Sequence, residues 1–552
     1  MTCPPGLTLQ GAVFRMIFMR RKSRPLLFPA LLLPATIHAA ETGGTPAAHG
    51  LLWVDWLVVA VYMALTLYIG WRCSRDEKTT GSYFIGSGKM NPVLIGVSLF
   101  ATLLSTISYM AMPGESLGKG PVFFSNYLAY PLVFLVVSFG LLPIYMRHKV
   151  HSAYELLEER LGASVRLLGA GLFLLLRLVW MSLMIHMTSN AIAIMAGLGE
   201  EWVPWIAAAS GLVAVTYTSM GGLRAVVITD FMQTLLLYGG ALLVIATVTV
   251  QLGGFSWFPT EWRDNWDRQV VFTWDWSERV TMAGSIISVF FWMVATMGGD
   301  QVSVQRFMAT EDAGAARRAL AVQLCCSVVV GLTLACVGFA LLGYFEAFPE
   351  RLGAGLDLKG KADKIFPHFI AFHLPPVVSG LVVSGLFAAA MSSLDSGVNS
   401  VTAVVTRDFL DRAGIGPKDD AAHFRMARWM AFGIGAVVVA GSSLMKHVHG
   451  NFMAVTNKVV NFFTVPIFCL FLFALVLRFV SPAGAWIGAL CGVAAAGMVA
   501  FSGWIFVPGF DAATMKDPVS FQWMQPASFI AAMAGGILGS LVFPRKEASL
   551  KK

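Results

Sequence analysis

Polar side chains interrupt long apolar runs at three places in the sequence. The densest is the segment 387–400. Its polar residues share one helical face through i, i+3, i+4 and i+7 spacing, with one further hydroxyl beside them: Ser392, Asp395, Ser396, Asn399 and Ser393. Polar groups are expensive in lipid, so a face of this density indicates a binding site more than a contact between two helices.

A second stretch, 96–108, is rich in small and hydroxyl-bearing residues and is followed by Pro113 and Gly114. Where a membrane helix unwinds, its freed backbone carbonyls can coordinate a hard cation. Small residues also allow two helices to pack closely, and this alternative stays open. The stretch therefore predicts either a broken, cation-binding helix or a close helix contact.

The third place is Asp230, which lies in an apolar helix just after the turn 221–224. An isolated charge at the centre of a bilayer costs about 2.5 to 3.5 kcal/mol. The carboxylate therefore needs a cation as a partner. Alternatively, it lies near the helix N-terminus and is stabilised there by the helix dipole and by Arg224.

The elements that position these residues are membrane-spanning helices. The 552 residues are 57% hydrophobic and 13% charged, about half the charge of a soluble protein. Runs of about 20 apolar residues, each long enough to cross a bilayer as a helix, recur along the chain. We predict an all-α polytopic membrane protein with roughly 13 spans: 52–71, 92–111, 122–146, 163–197, 202–219, 228–251, 281–299, 319–345, 376–404, 425–444, 454–478, 483–507 and 525–543.

The N-terminal residues 1–40 have the order of a signal peptide, with basic residues after Met19, an apolar stretch and then small residues. We expect translation to start at Met16 or Met19, and an uncleaved anchor is the alternative. A linker, 41–51, would then lie on the outer side of a bacterial-type inner membrane.

Basic residues support this orientation, because cytoplasmic loops are enriched in Lys and Arg. With the mature N-terminus outside, the tail 546–552 is cytoplasmic. The loops on the same side then contain most of the loop cations: Arg72, Arg75, Lys78, Arg147, Lys149, Arg224, Arg306, Arg317, Arg318, Arg407, Arg412, Lys418, Arg425 and Arg478.

Other functional classes find no support in the sequence. It contains no nucleotide-binding loop of the G-x-x-x-x-G-K type, no G-x-S-x-G and no H-E-x-x-H. The seven cysteines form no C-x-x-C pair. We therefore expect neither an enzyme nor a cofactor. The net charge of +8 follows from topology and does not indicate a nucleic-acid partner.

Five ordered motifs together identify a family resemblance over about residues 52–480. They are the segment 82–88, the small-residue helix, the segment 221–230, the Gln-Arg pair 305–306 and the serine-rich segment 388–400. In this combination the chain resembles the sodium:solute symporter family, the relatives of sodium/glucose cotransporters.

The resemblance implies the leucine-transporter fold, in which two inverted five-helix repeats surround a midplane site between broken helices. Their expected bounds are 92–251 and 281–478, with an extra helix 52–71 before them and C-terminal helices within 483–545.

The resemblance also implies a sodium site formed by the carbonyls of Ala101, Leu104 and Ala389 and the hydroxyls of Ser392 and Ser393. Neutral oxygens suit a monovalent cation better than a divalent one. A second group belongs to an ion path or a second ion: Asp230, Asp395 and Ser396.

The solute class follows from cations inside the spans. The sugar-carrying branch has Lys, Glu and Gln in its pocket, where this chain has Ser327, Tyr127 and Lys458. Arg177 is suited to bind a carboxylate, unless it pairs internally with Asp300 or Asp395. The expected substrate-binding residues are Ser105, Thr106, Ser108, Phe123, Tyr127, Arg177, Phe291 and Lys458.

We therefore predict a symporter that uses Na+ as its coupling ion and imports a small polar solute by alternating access. An organic acid or an amino acid is favoured over a sugar. A transport-inactive solute sensor and a proton-coupled carrier of the same fold are the alternatives. The oligomeric state stays open.

Overall fold

The computed structural model describes residues 50–74, 84, 88–147, 152–353, 355–417, 419–447, 452–511 and 515–545. This part of the chain is helical and contains no strand. The predicted signal peptide, most of the linker and the C-terminal tail lie outside the described residues, as does most of the motif 82–88.

We number the longer helices in chain order. They are α1 Trp53–Ser74, α2 Pro92–Leu103, α3 Thr106–Lys119, α4 Val122–Arg147, α5 Glu155–Leu161, α6 Ala163–Met195, α7 Val203–Gln251, α8 Met282–Gly299, α9 Gln301–Met308, α10 Ala313–Ala347, α11 Ile365–Phe372, α12 Val378–Val404, α13 Asp420–Ser442, α14 Phe452–Leu475, α15 Pro482–Ala500 and α16 Met524–Val542.

The helices confirm the predicted membrane architecture. Among the described residues, eleven helices are long and apolar enough to cross a bilayer, and the bent pair α2 and α3 makes twelve. α14 coincides with the remaining predicted span, although its apolar part, Phe462–Leu475, is shorter. α7 counts as two spans because it is kinked at Gly222, whose φ of 55° is a conformation that glycine adopts readily.

α12 lies at the centre of the bundle, and 89% of its membrane window is buried. It packs against α1, α6 and α7, and it also contacts α2. Asp55 of α1 fixes the start of α12, because its Oδ1 accepts hydrogen bonds of 2.8 to 2.9 Å from Val377 N, Ser379 Oγ and Gly380 N. The helix that precedes the repeats is thus attached directly to the central one.

The first predicted break lies between α2 and α3, whose axes differ by 70°. Leu104 and Ser105 both have extended backbone angles there. The hydroxyl of Ser105 accepts a hydrogen bond of 3.1 Å from Ser108 N and so caps α3. The break therefore has its own capping residue within the small-residue stretch.

The second break separates α8 from α9 at Asp300, whose ψ of 124° is extended. The Asp300 carboxylate caps α9 by accepting a hydrogen bond of 2.9 Å from Val302 N. Each predicted repeat thus begins with a discontinuous helix, which is the arrangement expected for the leucine-transporter fold.

Candidate sodium and substrate sites

The break after α2 frees carbonyls that an unbroken helix would use internally. The Ser392 hydroxyl of α12 donates to the carbonyl of Ala101 at 2.9 Å and to that of Ala389 at 3.1 Å. These three residues and Leu104 line one small cavity between α2, α7 and α12, with a volume of about 10 Å³. This is close to the room that one water-sized group needs.

Thr102 joins this group, although the sequence analysis did not single it out. Its carbonyl accepts a hydrogen bond of 3.1 Å from the Ser393 hydroxyl. The signal was present in the sequence, because the last four carbonyls of any helix lack partners in that helix. Once α2 is known to end at Leu103, the carbonyl of Thr102 is expected to be free to accept a hydrogen bond or to bind a cation.

The oxygen atoms of this group suit a monovalent cation. They are backbone carbonyls and neutral hydroxyls, and each serine hydrogen currently points at a carbonyl. In the described part of the chain, no group of three His, Cys, Asp or Glu residues could hold a metal. The arrangement therefore fits an ion of the sodium type better than a divalent metal.

Asp230 lies next to α2 and is fully buried. Its Oδ2 accepts a hydrogen bond of 2.5 Å from the Ser98 hydroxyl and lies 3.3 Å from Nη2 of Arg306. The Arg306 Nε also donates to Ser98 Oγ at 2.8 Å. Thus Arg306 provides the ion-pair partner that the isolated carboxylate was expected to need.

The placement of Arg306 in a cytoplasmic loop was wrong. The residue lies in α9 with its side chain fully buried. The short polar segment around Arg306 lies between two apolar runs and therefore resembled a loop. In the structure this segment is the half-helix α9, which packs inside the bundle.

The serine face of α12 completes this polar cluster. Arg306 donates to the Ser396 hydroxyl, which lies 2.8 Å from Thr102 Oγ1. Ser396 in turn donates to Asp395 at 3.3 Å. The three residues assigned to an ion path are therefore joined through Arg306 and Thr102, directly beside the candidate sodium site.

A larger cavity of about 150 Å³ lies on the other side of the break. Three of the predicted substrate residues line it, namely Ser108, Phe123 and Tyr127. The remaining lining consists of polar and aromatic or aliphatic side chains: Phe100, Leu103, Leu104, Met112, Asn126, Tyr130, Trp180, Ser288, Val289, Trp292, Met293, Gln323 and Ser327.

Three other predicted substrate residues do not line this cavity. The Ser105 hydroxyl caps α3, and the Thr106 hydroxyl donates to the carbonyl of Leu386 at 3.3 Å. Phe291 packs against Phe529 of α16, with 4.7 Å between ring centroids. These three residues lie on helices that border the cavity, but their side chains contact other parts of the structure.

The two predicted intramembrane cations have acidic partners. Arg177 forms a buried ion pair with Asp300, the residue at the break of α8 and α9. This pair lines a cavity of about 30 Å³ next to the larger one. Lys458 pairs with Asp517 at 2.9 Å and does not line either cavity. The sequence analysis left open that Arg177 pairs internally with Asp300, and the structure contains this ion pair.

The broken helices and the neutral oxygen site define a secondary transporter of the leucine-transporter type. The model of the sodium:solute symporter family matches residues 83–492, and the chain belongs to this family.

Individual relatives agree with this assignment. The chain is 29% identical to the sodium/sialic acid symporter SiaT of Proteus mirabilis over 71% of this chain and 77% of that protein. It is 26% identical to the sodium-coupled monocarboxylate transporter 1 of Xenopus laevis over 85% and 75%. A solved Na+-coupled sialic acid symporter in a substrate-bound outward-open state shares the fold, with a TM-score of 0.78, 23% identity and coverage of 90% and 99%.

Proposed function

We propose that this protein is a sodium-coupled symporter that imports a small organic solute bearing a carboxylate. One observation carries the proposal. The Ser392 hydroxyl contacts the freed carbonyl of Ala101 and the carbonyl of Ala389, and all three residues line one small cavity. That arrangement offers neutral oxygens to a monovalent cation at the point where the first core helix is broken.

The two cavities are close enough for coupling. Phe100 and Leu104, at the end of α2, line both the sodium cavity and the larger cavity. A solute that contacts this segment therefore meets the same backbone whose carbonyls would bind sodium. Coupling requires that binding of one ligand changes the affinity for the other, and a shared segment is a physical route for that change.

The carboxylate preference rests on relatives and on Arg177. The named substrates of the relatives above, sialic acid and monocarboxylates, are acids. The Arg177 side chain lies in a cavity that shares Leu103, Trp180 and Trp292 with the larger one. Its Nε is buried without a hydrogen-bond partner in the described structure. Arg177 thus has an unused donor close to where a solute carboxylate would enter.

Transport into proteoliposomes tests the proposal. Purified protein would be supplied with labelled sialic acid, lactate, an amino acid and glucose, with an inward sodium gradient or with choline in its place. Accumulation of an acid above equilibrium only with the sodium gradient is expected. Binding without accumulation would support the sensor alternative, and accumulation driven equally well by a proton gradient would support the proton-coupled one.

A serine pair provides the matched comparison. Ser392→Ala with Ser393→Ala should abolish sodium-driven accumulation, because both hydroxyls of the site are lost. Ser384→Ala is the control, since this buried serine of α12 donates to Gly380 of its own helix at 2.7 Å. Equal loss in the control and in the double variant would mean that the serine hydroxyls act in folding instead of ion binding.

We also propose an orientation with the start of α1 outside the cell and the C-terminus in the cytoplasm. Arg72 and Arg147, at the ends of α1 and α4, then both lie on the cytoplasmic side. Reporter fusions after Arg147 and after Val542 should both be active only as cytoplasmic reporters. A periplasmic signal at either point would reject this topology.

A further inference from the structure

Gln233 lies on α7, close to one helical turn after Asp230. Its side chain is buried and lines the small cavity that also contains Ala101, Ala389 and Ser392. Gln233 also lines a groove between α1, α7 and α12. The amide group of Gln233 therefore lies between the candidate sodium site and α1.

A tyrosine of α1 sets the orientation of this amide. Nε2 of Gln233 donates to the hydroxyl of Tyr62 at 3.2 Å. That hydroxyl in turn donates to Sδ of Met391 on α12, 3.8 Å away. Because the hydroxyl donates to Met391, it can accept the hydrogen bond from the amide nitrogen of Gln233. The amide oxygen is then the atom left for other partners.

That oxygen has no partner. Oε1 of Gln233 is buried and accepts no hydrogen bond in the described structure. Buried amide oxygens are nearly always satisfied, so an unsatisfied one calls for an explanation, and an unoccupied ligand position is one. The other oxygens around the cavity are likewise carbonyls and neutral hydroxyls, which is the ligand type that this site offers throughout.

We propose that Oε1 of Gln233 is an additional ligand of the sodium ion at this site and that Tyr62 of α1 holds it in place. The inference rests on the proposed sodium-coupled function and extends it to α1. Asp55 attaches α1 to the start of α12, so Tyr62 belongs to a helix that is fixed to the central one. The extra helix would thus contribute indirectly to ion binding.

Three substitutions test the inference. Gln233→Leu removes the oxygen with little change in side-chain size, Gln233→Glu keeps an oxygen, and Tyr62→Phe removes only the hydroxyl that orients the amide. Each purified variant would be titrated with NaCl at constant ionic strength in choline chloride, and the half-saturating sodium concentration would be read from the rise in melting temperature. Sodium-driven uptake would provide a second readout.

Gln233→Leu should raise the half-saturating sodium concentration by about tenfold or more, since one ligand is lost. Tyr62→Phe should raise it less, by about threefold, and Gln233→Glu should stay closer to the wild type than Gln233→Leu. In choline alone, the melting temperature of Gln233→Leu should equal or exceed that of the wild type, because an unsatisfied buried amide oxygen is removed. If Gln233 acts only in packing, Gln233→Leu should instead keep the half-saturating sodium concentration of the wild type and have a lower melting temperature in choline.

The outcomes separate this inference from the proposed function. If the wild-type protein shows no sodium response, the sodium-coupled function itself fails. If the wild type responds and both Gln233→Leu and Tyr62→Phe titrate like it, only the role of Gln233 is rejected. Should Gln233→Leu not yield folded protein, Tyr62→Phe decides alone, and an unchanged sodium titration of that variant overturns the inference.

Discussion

Arg306 is fully buried in α9, and two carboxylates act on it within the described structure. It forms an ion pair with Asp230, and Asp395 lies close enough to interact electrostatically. The nearby Arg177 and Asp300 form a neutral pair of their own. The charge of the buried Asp230 carboxylate is therefore compensated by the guanidinium of Arg306. Removing a partner from a buried ion pair is costly because the other charge is left without compensation.

Substitutions of the two partners should therefore differ in effect. Arg306→Gln leaves the buried carboxylate of Asp230 without its ion-pair partner and should destabilise the protein by about 3 to 5 kcal/mol. Asp230→Asn leaves Arg306 with Asp395 and should cost less. Thermal unfolding of both variants in detergent, in choline buffer, measures the difference. A larger loss for Asp230→Asn would show that Asp395 does not share the charge of Arg306.

The role of Arg177 gives a prediction about solute affinity. A charge-assisted hydrogen bond contributes about 1.5 to 3 kcal/mol, so Arg177→Gln should raise the KM for an acidic solute by about 10- to 100-fold. The sodium concentration for half-maximal uptake should change little. Asp300→Asn serves as the comparison, because it disrupts the same ion pair but retains the guanidinium. If both variants raise KM equally, Arg177 acts through the pair and not through the solute.

The half-helices α2 and α3 each begin at a capping residue, and only the second of these caps lies at the break. Ser105 caps α3 next to the sodium site, and Asn91 caps α2 by accepting a hydrogen bond of 2.8 Å from Val93 N. Replacing either residue by Ala should cost about 0.5 to 2 kcal/mol. We expect only Ser105→Ala to weaken sodium binding as well, because its loss loosens the break itself. Sodium-dependent melting of the two variants measures this, and equal sodium affinities would indicate a rigid break.

The helices could be predicted from sequence because apolar length alone fixes a membrane span. The approximate position of the break and the serine face of α12 could be predicted too, since both depend on local residue types. Other features depend on how distant helices meet. Phe291 packs outward while its neighbour Trp292 lines a cavity, and Lys458 pairs with a residue 59 positions away. Neither the rotation of a helix about its axis nor an ion pair between distant residues can be predicted from the residue types in a short segment of sequence.

At the scale of the whole molecule, the candidate sodium cavity and the larger cavity share the end of α2 as part of their lining. Phe100 and Leu104 lie at the end of α2, where the chain leaves the helix. The central helix α12 contributes Ser392 and Ser393 to the candidate sodium site but does not line the larger cavity. The coupling between ion and solute should therefore pass through the backbone of the break.

Thermodynamic linkage makes this coupling measurable in both directions. The factor by which saturating sodium raises the affinity for the solute must equal the factor by which saturating solute raises the affinity for sodium. Typical couplings of 1 to 3 kcal/mol correspond to about 5- to 150-fold. Calorimetric titration of each ligand in the presence and absence of the other measures both factors. In Ser392→Ala with Ser393→Ala, both factors should fall to about 1, whereas Ser384→Ala should keep them. Tight solute binding that does not depend on sodium in the wild type would contradict coupling through the break, even if sodium still raised the melting temperature.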